Sequence, residues 1–122
     1  SCVMMCDRDI RSATEAASEL LSRPARPTAV FAFNDVLAAG VMKAARRLGL
    51  EIPQELSVVG FDDSTICAML EPELSSAHVD CRRMGELSME RMTALLSGEE
   101  NVPRLTVVPV ELRVRASSRT RT

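Results

Sequence analysis

Short apolar runs recur along the chain and predict β-strands. Each run is rich in aliphatic side chains and most are followed directly by polar residues, as is typical of buried strands that lead into loops. The predicted strands span residues 2–6, 28–33, 56–61 and 75–79, with closing strands at 106–108 and 110–112 on either side of Pro109.

Between these runs the apolar residues recur three and four positions apart, which is the spacing of an amphipathic helix. Ser12 is the predicted N-cap of the first helix, and Gly49 is predicted to end the second. The apolar face of the last helix is broad enough to need a large partner surface. The predicted helical segments are 12–22, 34–49, a short turn that ends near residue 70, and 82–97.

Strands that alternate with helices of this length predict an α/β fold in which a parallel sheet is flanked by helices. One domain is expected for 122 residues, of which 46% are hydrophobic. The chain starts within a predicted strand, so we expect it to be a fragment. The Arg-, Ser- and Thr-rich tail from Arg115 onward is expected to fray.

Charge and cysteine content exclude several classes of protein. The net charge of −2, from 15 basic and 17 acidic residues, argues against a nucleic-acid-binding module. Four cysteines with neither metal-site nor disulfide-framework spacing favour a reducing, cytoplasmic compartment. His78 is the single histidine, and no apolar run approaches the ~20 residues of a membrane span. We expect no metal, no cofactor, no enzyme activity and no membrane contact.

Polar clusters follow three of the predicted strands directly. Parallel sheets bind ligands outside the carboxyl ends of their strands, so these clusters are expected to meet at one edge and to bind a polyhydroxylated or amino-bearing small molecule. Asp35 and Asp63 each precede a helix and have an alternative role as N-caps. Asp62 and Asn34 are therefore the stronger candidates for ligand binding. The clusters are Asp7-Arg8-Asp9, Asn34-Asp35 and Asp62-Asp63.

Longer motifs carry a resemblance to a known family. Residues 26–35 read RPTAVFAFND, residues 57–63 read SVVGFDD, residues 72–76 read PELSS, and residues 110–117 read VELRVRAS. With these motifs, nearly the whole chain resembles the carboxy-terminal, effector-binding part of LacI/GalR-type transcription regulators. SVVGFDD together with PELSS is a specific pattern, whereas ND or DD alone is not.

The resemblance implies a periplasmic-binding-protein-like fold, in which two α/β lobes close over a small effector and an amino-terminal helix-turn-helix reads DNA. Residues 1–80 would form the carboxy-terminal lobe, residues 81–98 a helix of the partner lobe, and residues 99–122 the closing strands and tail. The helix-turn-helix and most of the partner lobe would lie outside this chain.

The resemblance also implies which residues contact the effector. Asp62 would hydrogen-bond it, Asn34 would face the same cleft, and Arg8 would contact it from the loop that also carries Asp7. The family usually has an aromatic residue in place of Arg8 and often a polar cleft residue in place of Val79. Because a guanidinium binds carboxylates and phosphates well, we expect an anionic effector ahead of a neutral sugar.

An apolar segment after Asp62-Asp63 indicates a second surface. Ile66, Cys67, Met69 and Leu70 put four apolar side chains into a short segment, more than a turn at the edge of a lobe can easily bury. By resemblance, these residues and Val36 at the start of the second helix line a homodimer interface.

Two alternatives are weighed against a regulator. A sugar-binding protein of a transport system would have the same fold without a DNA partner. A magnesium-dependent phosphatase of the haloacid-dehalogenase type also places aspartates after strands, but it needs a Lys or Arg clamp between its motifs, and the single lysine, Lys43, lies within a predicted helix. The SVVGFDD and PELSS motifs favour the regulator.

Overall fold

The structure is a computed structural model that describes residues 3–120. Helices and strands alternate along it, as the sequence predicts. The elements are helices α1 (Ile10–Leu21), α2 (Asp35–Arg47) and α3 (Cys81–Leu96), a 3-10 turn at Thr65–Ala68, and strands β1 (Ala29–Phe31), β2 (Ser57–Asp62), β3 (Ser75–Val79) and β4 (Val110–Arg113).

The four strands form one sheet in the order β1-β2-β3-β4. β1 pairs with β2 and β2 pairs with β3, in both cases in parallel. The predicted α/β class with a parallel sheet and flanking helices is therefore confirmed. Asp62 and His78 are register partners, so β2 and β3 end together at one edge of the sheet.

The core lies between β2 and α2. Leu56, Val58 and Leu74 are fully buried, and α2 meets them with a face made largely of alanine. Small side chains also let the helices approach each other, since a Cβ added at Gly40 would overlap the Cβ of Ala13 on α1. This close packing fixes where α2 begins, and so it positions the residues at the end of β1.

The helix ends agree with the sequence except at the start of α1. Its N-cap is Asp9, whose Oδ1 accepts a hydrogen bond from the Ser12 backbone N–H at 2.9 Å, so the prediction of Ser12 as the cap is wrong. The helix begins earlier because Asp9 already offers a side-chain acceptor to its free N–H groups. At the far end of α2, Gly49 has φ of 71°, which confirms it as the predicted stop.

Two predicted strands do not form. Residues 3–7 have no strand conformation, and Val3 and Met5 are exposed, because no neighbouring strand within residues 3–120 pairs with them. Cys2 lies outside the described residues. Residues 106–108 also remain outside the sheet, and the closing strand is β4 alone. An apolar run becomes a strand only where a partner supplies hydrogen bonds.

The expectation of a frayed tail is wrong, because Ser117 is completely buried. Its backbone N–H donates to the Glu73 carbonyl at 2.9 Å, and its carbonyl accepts from the Val58 N–H at 2.8 Å. Its Oγ donates to the Val58 carbonyl and accepts from the Ser75 N–H. Ser117 therefore forms hydrogen bonds with backbone groups of β2 and of the chain at the start of β3. A polar residue of the tail is thus part of the buried interior.

The chain divides into two compact units. One contains the residues up to His78 and those from Leu112 onward, and the other is Val79–Glu111. α3, in the second unit, buries none of its residues within the described chain. Among the described residues no helix is long and apolar enough to cross a membrane. Apolar side chains of α3 that are more than half exposed are Met89, Met92, Leu95 and Leu96.

Candidate functional site

The carboxyl ends of β1 and β2 meet at one edge of the sheet. Phe31, the last residue of β1, is the register partner of Val59 in β2. Asn34 comes three residues after Phe31, and Asp62, the last residue of β2, comes three residues after Val59. Both therefore lie at this edge of the sheet. This is the edge at which open parallel sheets bind ligands.

Asp62 has an exposed side chain and an unusual backbone. Its φ of 100° lies in the region that residues with a Cβ rarely adopt. Across residues 3–120 its carboxylate makes no hydrogen bond or ion pair. A strained residue with a free carboxylate is typical of a ligand-binding position.

Asp63 has the opposite environment. Its Oδ1 lies 2.7 Å from Nη2 of Arg115, and its Oδ2 lies 3.1 Å from Nδ1 of His78. The side-chain hydrogen bond to Asp63, together with its negative charge, raises the pKa of Arg115 above its ordinary value. The alternative role of Asp63 as an N-cap is wrong, because the 3-10 turn that follows has Ser64 at its cap position and no side-chain cap bond.

Asp35 is buried beneath this edge. It accepts hydrogen bonds from the backbone N–H and Oγ of Ser64 at 2.7 and 2.8 Å, and from Oγ of Ser76 at 2.6 Å. A Cβ added at Gly60 would overlap the Asp35 carboxylate, so the glycine makes room for it. Burial and the neighbouring Asp35 carboxylate raise the pKa of the Cys67 thiol to about 11. The N-cap alternative for Asp35 is also wrong, and its side chain instead links Ser64, after the end of β2, to Ser76, near the start of β3.

Asn34, rather than Asp35, caps α2. Its Oδ1 accepts from the Leu37 N–H at 2.9 Å. A carboxamide carries a donor nitrogen besides this oxygen, so capping leaves Asn34 able to donate to a ligand. A ligand role for Asn34 stays a prediction.

Arg8 contacts Phe33, which lies at the same edge, two residues after the end of β1. Its guanidinium carbon lies 5.3 Å from the centre of the Phe33 ring, which is the geometry of a cation–π contact. Phe33 is 65% exposed and was not among the predicted site residues. Its position directly before Asn34, at the end of an apolar run, was the signal in the sequence.

The other predicted site residues have different surroundings. Asp7 is exposed, and its carboxylate makes no hydrogen bond or ion pair in the part of the chain that the structure describes. Val79 is half-buried and is the last residue of β3. The third member of the first cluster, Asp9, is used as the cap of α1. Ligand roles for Asp7 and Val79 stay predictions.

The segment predicted to form a dimer interface is partly exposed. Met69 is 79% exposed and Val36 is 37% exposed, whereas Ile66 and Leu70 are half-buried. Ile66, Met69 and Leu70 line one side of an open groove of about 610 Å³, and Lys43 lies on its α2 side.

Residues 2–118 match the family model of the periplasmic binding protein-like domain. The chain belongs to this family. Curated periplasmic-binding-protein-like relatives include the HTH-type transcriptional repressor PurR of Vibrio vulnificus, 36% identical over 104 residues, and the HTH-type transcriptional regulator DegA of Bacillus subtilis, 38% identical over 109 residues. These matches cover 85% and 89% of this chain but 31% and 32% of the relatives, so the chain spans about a third of their length.

Solved structures of periplasmic-binding-protein-like domains give the same result. The LacI family regulator from Arthrobacter sp. FB24 in complex with lactose has a TM-score of 0.85 at 31% identity, over 95% of this chain and 44% of that one. The transcriptional regulator CelR in complex with cellobiose also has a TM-score of 0.85 at 31% identity, over 93% and 35%. The resemblance to LacI-type regulators is confirmed, and the matched proteins are regulators, not enzymes.

Proposed function

We propose that this chain is the effector-binding part of a LacI-type transcription regulator. A small metabolite bound at the edge of the sheet would control DNA binding by an amino-terminal helix-turn-helix outside the chain. The observation that carries the proposal is Asp62, an exposed carboxylate without a partner in residues 3–120, on a left-handed backbone at the end of β2. Two similar regulators contain lactose and cellobiose, which supports a small polyhydroxylated ligand.

The pair of Arg8 and Phe33 supports an anionic effector. Stacking on an aromatic ring uses the flat face of a guanidinium and leaves its N–H edges free to bind a carboxylate. Asp62 accepts hydrogen bonds and so suits a hydroxyl or amino group on the same ligand. A sugar acid combines both features.

A thermal-shift comparison of matched ligands tests this proposal. The protein that carries this chain is melted with glucose, galactose, glucuronate, galacturonate, lactose and cellobiose at equal concentrations. Ligand that binds the native state raises the melting temperature, so the two acids are expected to give the larger shifts. Arg8→Ala should remove the advantage of the acids.

Arg11→Ala is the matched control, because Arg11 is also exposed and pairs with Glu15 on α1 instead of contacting Phe33. A neutral sugar that binds best and is unaffected by Arg8→Ala would contradict the anionic effector. If none of the six compounds shifted the melting temperature, a sugar-type effector would be ruled out.

We further propose that the regulator is a cytoplasmic homodimer that associates through the segment around Met69. In the two-fold dimers that most homo-oligomers form, the same patch faces itself, so a charge placed there meets its own copy. Met69→Glu is expected to shift the protein toward monomer in sedimentation, whereas Ala25→Glu, on an exposed turn away from this segment, is not. A dimer that survives Met69→Glu would place the interface elsewhere.

The two compact units suggest how the chain contributes to the two lobes. In this proposal residues 1–80 form the carboxy-terminal lobe and residues 81–98 belong to the partner lobe. The exposed apolar side chains of α3 support a helix that packs on further chain.

A further inference from the structure

Two consecutive residues without glycine's freedom adopt left-handed backbone at the end of β2. Asp62 has φ of 100° and Asp63 has φ of 53°. Such conformations persist where surrounding contacts determine them, so the contacts that hold this turn also decide where the Asp62 carboxylate lies.

Beyond the pairing of Asp62 with His78 in the sheet, those contacts belong to Asp63 and its neighbour Ser64. The Asp63 backbone N–H donates to Oγ of Ser76 at 3.1 Å, and its carboxylate binds Arg115 and His78. The Ser64 N–H donates to the buried Asp35. The Asp62 side chain makes none, and the Asp62 backbone is paired with His78 at the end of β2.

Arg115 is itself held firmly. Its Nη1 donates to the Leu74 carbonyl at 2.7 Å, and its backbone N–H donates to Oγ of Ser75 at 2.8 Å. These two hydrogen bonds hold Arg115 beside the start of β3, independently of its contact with Asp63.

The two partners of Asp63 lie next to the boundaries between the two compact units. His78 is the last residue before the chain enters the unit Val79–Glu111, and Arg115 comes three residues after it returns at Leu112. Asp63 is thus bound to both segments by which the first unit connects to the second.

We propose that Asp63 is a positioning residue: its ion pair with Arg115 and its hydrogen bond with His78 fix the turn that presents Asp62 to the effector. The inference rests on the proposed function, in which Asp62 binds the ligand. Asp63 acts without touching the ligand, because its side chain is 11% exposed and its two oxygens face Arg115 and His78. Effector affinity then depends on residues of the two connecting segments.

Asp63→Asn tests the proposal with little risk to the fold. Asparagine has the same shape, tolerates left-handed backbone and keeps the N–H to Ser76, but it loses the ion pair with Arg115 and one of the two carboxylate oxygens that face Arg115 and His78. Affinity is measured by calorimetry for the compound, among the six sugars and sugar acids above, that gives the largest thermal shift. We expect a loss of roughly tenfold, within the range of coupling between neighbouring residues.

The decisive readout is the same substitution in an Asp62→Ala background. If Asp63 acts through Asp62, Asp63→Asn causes no further loss there. Equal losses in both backgrounds would show that Asp63 contacts the ligand or affects the lobe in general, and would overturn the proposal. Glu73→Gln is the matched control, since Glu73 is the more distant acidic neighbour of Arg115 at 3.9 Å and should leave affinity unchanged.

Hydrogen exchange tests the turn without any ligand. Arg115→Gln should speed exchange of the Asp63 amide hydrogen, Arg115→Lys should restore part of the protection, and Glu73→Gln should have no effect. Unchanged exchange in Arg115→Gln would overturn the positioning role whatever the effector is. Failure of all six compounds to bind the unsubstituted protein would instead defeat the proposed sugar-type effector, and with it the route through Asp62.

Discussion

Asp62 and Asp63 are neighbours in sequence and have opposite surroundings. Asp62 is exposed and its carboxylate has no partner within residues 3–120, whereas Asp63 is nearly buried between Arg115 and His78. The motif that contains them gives no sign of this difference. The contrast teaches that the role of a strand-end carboxylate is decided by what the fold brings to it from elsewhere in the chain.

The carboxylates at this edge of the sheet are either buried with protein partners or exposed without them. A buried carboxylate must be paired or hydrogen-bonded, because losing its hydration is costly. Asp35 meets this requirement with Ser64 and Ser76, and Asp63 meets it with Arg115 and His78. The carboxylate of Asp62 is exposed to water and therefore needs no protein partner for stability. The strained backbone of Asp62 does not serve to pair this carboxylate, and such strain is typical of ligand-binding positions.

Replacing Asp35 should have the largest effect on stability. Asp35→Ala removes the acceptor of three hydrogen bonds and leaves the buried hydroxyl hydrogen of Ser76 without an acceptor. Hydrogen bonds to a charged group contribute about 1.5–3 kcal/mol each, and Ser64 can regain water, so we expect a loss of about 3 kcal/mol or more in the free energy of unfolding.

Urea denaturation followed by circular dichroism measures this loss. Asp62→Asn is the control, because asparagine tolerates the left-handed backbone, and it should change the unfolding free energy by less than about 0.5 kcal/mol, as exposed substitutions do. Equal losses for the two variants would remove the distinction between buried and exposed carboxylates.

Asp62→Asn should have the next largest effect, and on binding alone. The substitution removes the charge while keeping the shape, so effector binding should weaken by about 1.5–3 kcal/mol, the contribution of a hydrogen bond to a charged group. Calorimetry gives the affinity and thermal melting confirms the fold. Unchanged affinity would remove Asp62 from the site and leave its strained backbone unexplained.

Much of the fold could be predicted from the sequence, because burial itself produces the pattern. α2, β2 and β3 were predicted within two residues of their observed bounds, since each has a buried side that dictates the spacing of apolar residues. The run 2–6 carries the same signal but has no strand paired with it in the described chain. Periodicity reports burial and cannot report a hydrogen-bonding partner.

The site was predictable in position but not in detail. Strand-end clusters follow from the α/β pattern, and Asn34 and Asp62 do lie at the predicted edge. The partners of Asp35 and Asp63 come from β3 and from the carboxy-terminal segment, and Arg115 in particular lay in a tail expected to fray. Contacts between residues far apart in sequence require the folded chain.

Ser117→Ala tests whether that carboxy-terminal segment contributes to the stability of the buried interior. It removes the donor to the Val58 carbonyl and the acceptor of the Ser75 N–H, and leaves both groups buried. An unsatisfied buried polar group costs about 1–3 kcal/mol, so we expect a loss in that range in urea denaturation. Thr120→Ala, in the exposed end of the segment, is the control. A loss no larger than that of Thr120→Ala would mean that the segment contributes little.

The smallest expected effect concerns Asp7 and Asp9, which stand on either side of Arg8. Asp9 caps α1, and the backbone N–H of Ser12 holds the pKa of the Asp9 carboxyl below its ordinary value of 3.8. A pKa that is lower in the folded state stabilises the fold above the unfolded pKa, and this stabilisation is lost as the pH falls through the folded value. Asp9→Ala should therefore lower the melting temperature at pH 7, and the difference from the unsubstituted protein should shrink as the pH falls below 3.8. Asp7→Ala is the matched control and should leave the melting temperature unchanged at both pH values, since its carboxylate has no partner among residues 3–120. If instead Asp7→Ala destabilised the protein and Asp9→Ala did not, the assignment of one carboxylate to the fold and the other to the site would have to be reversed.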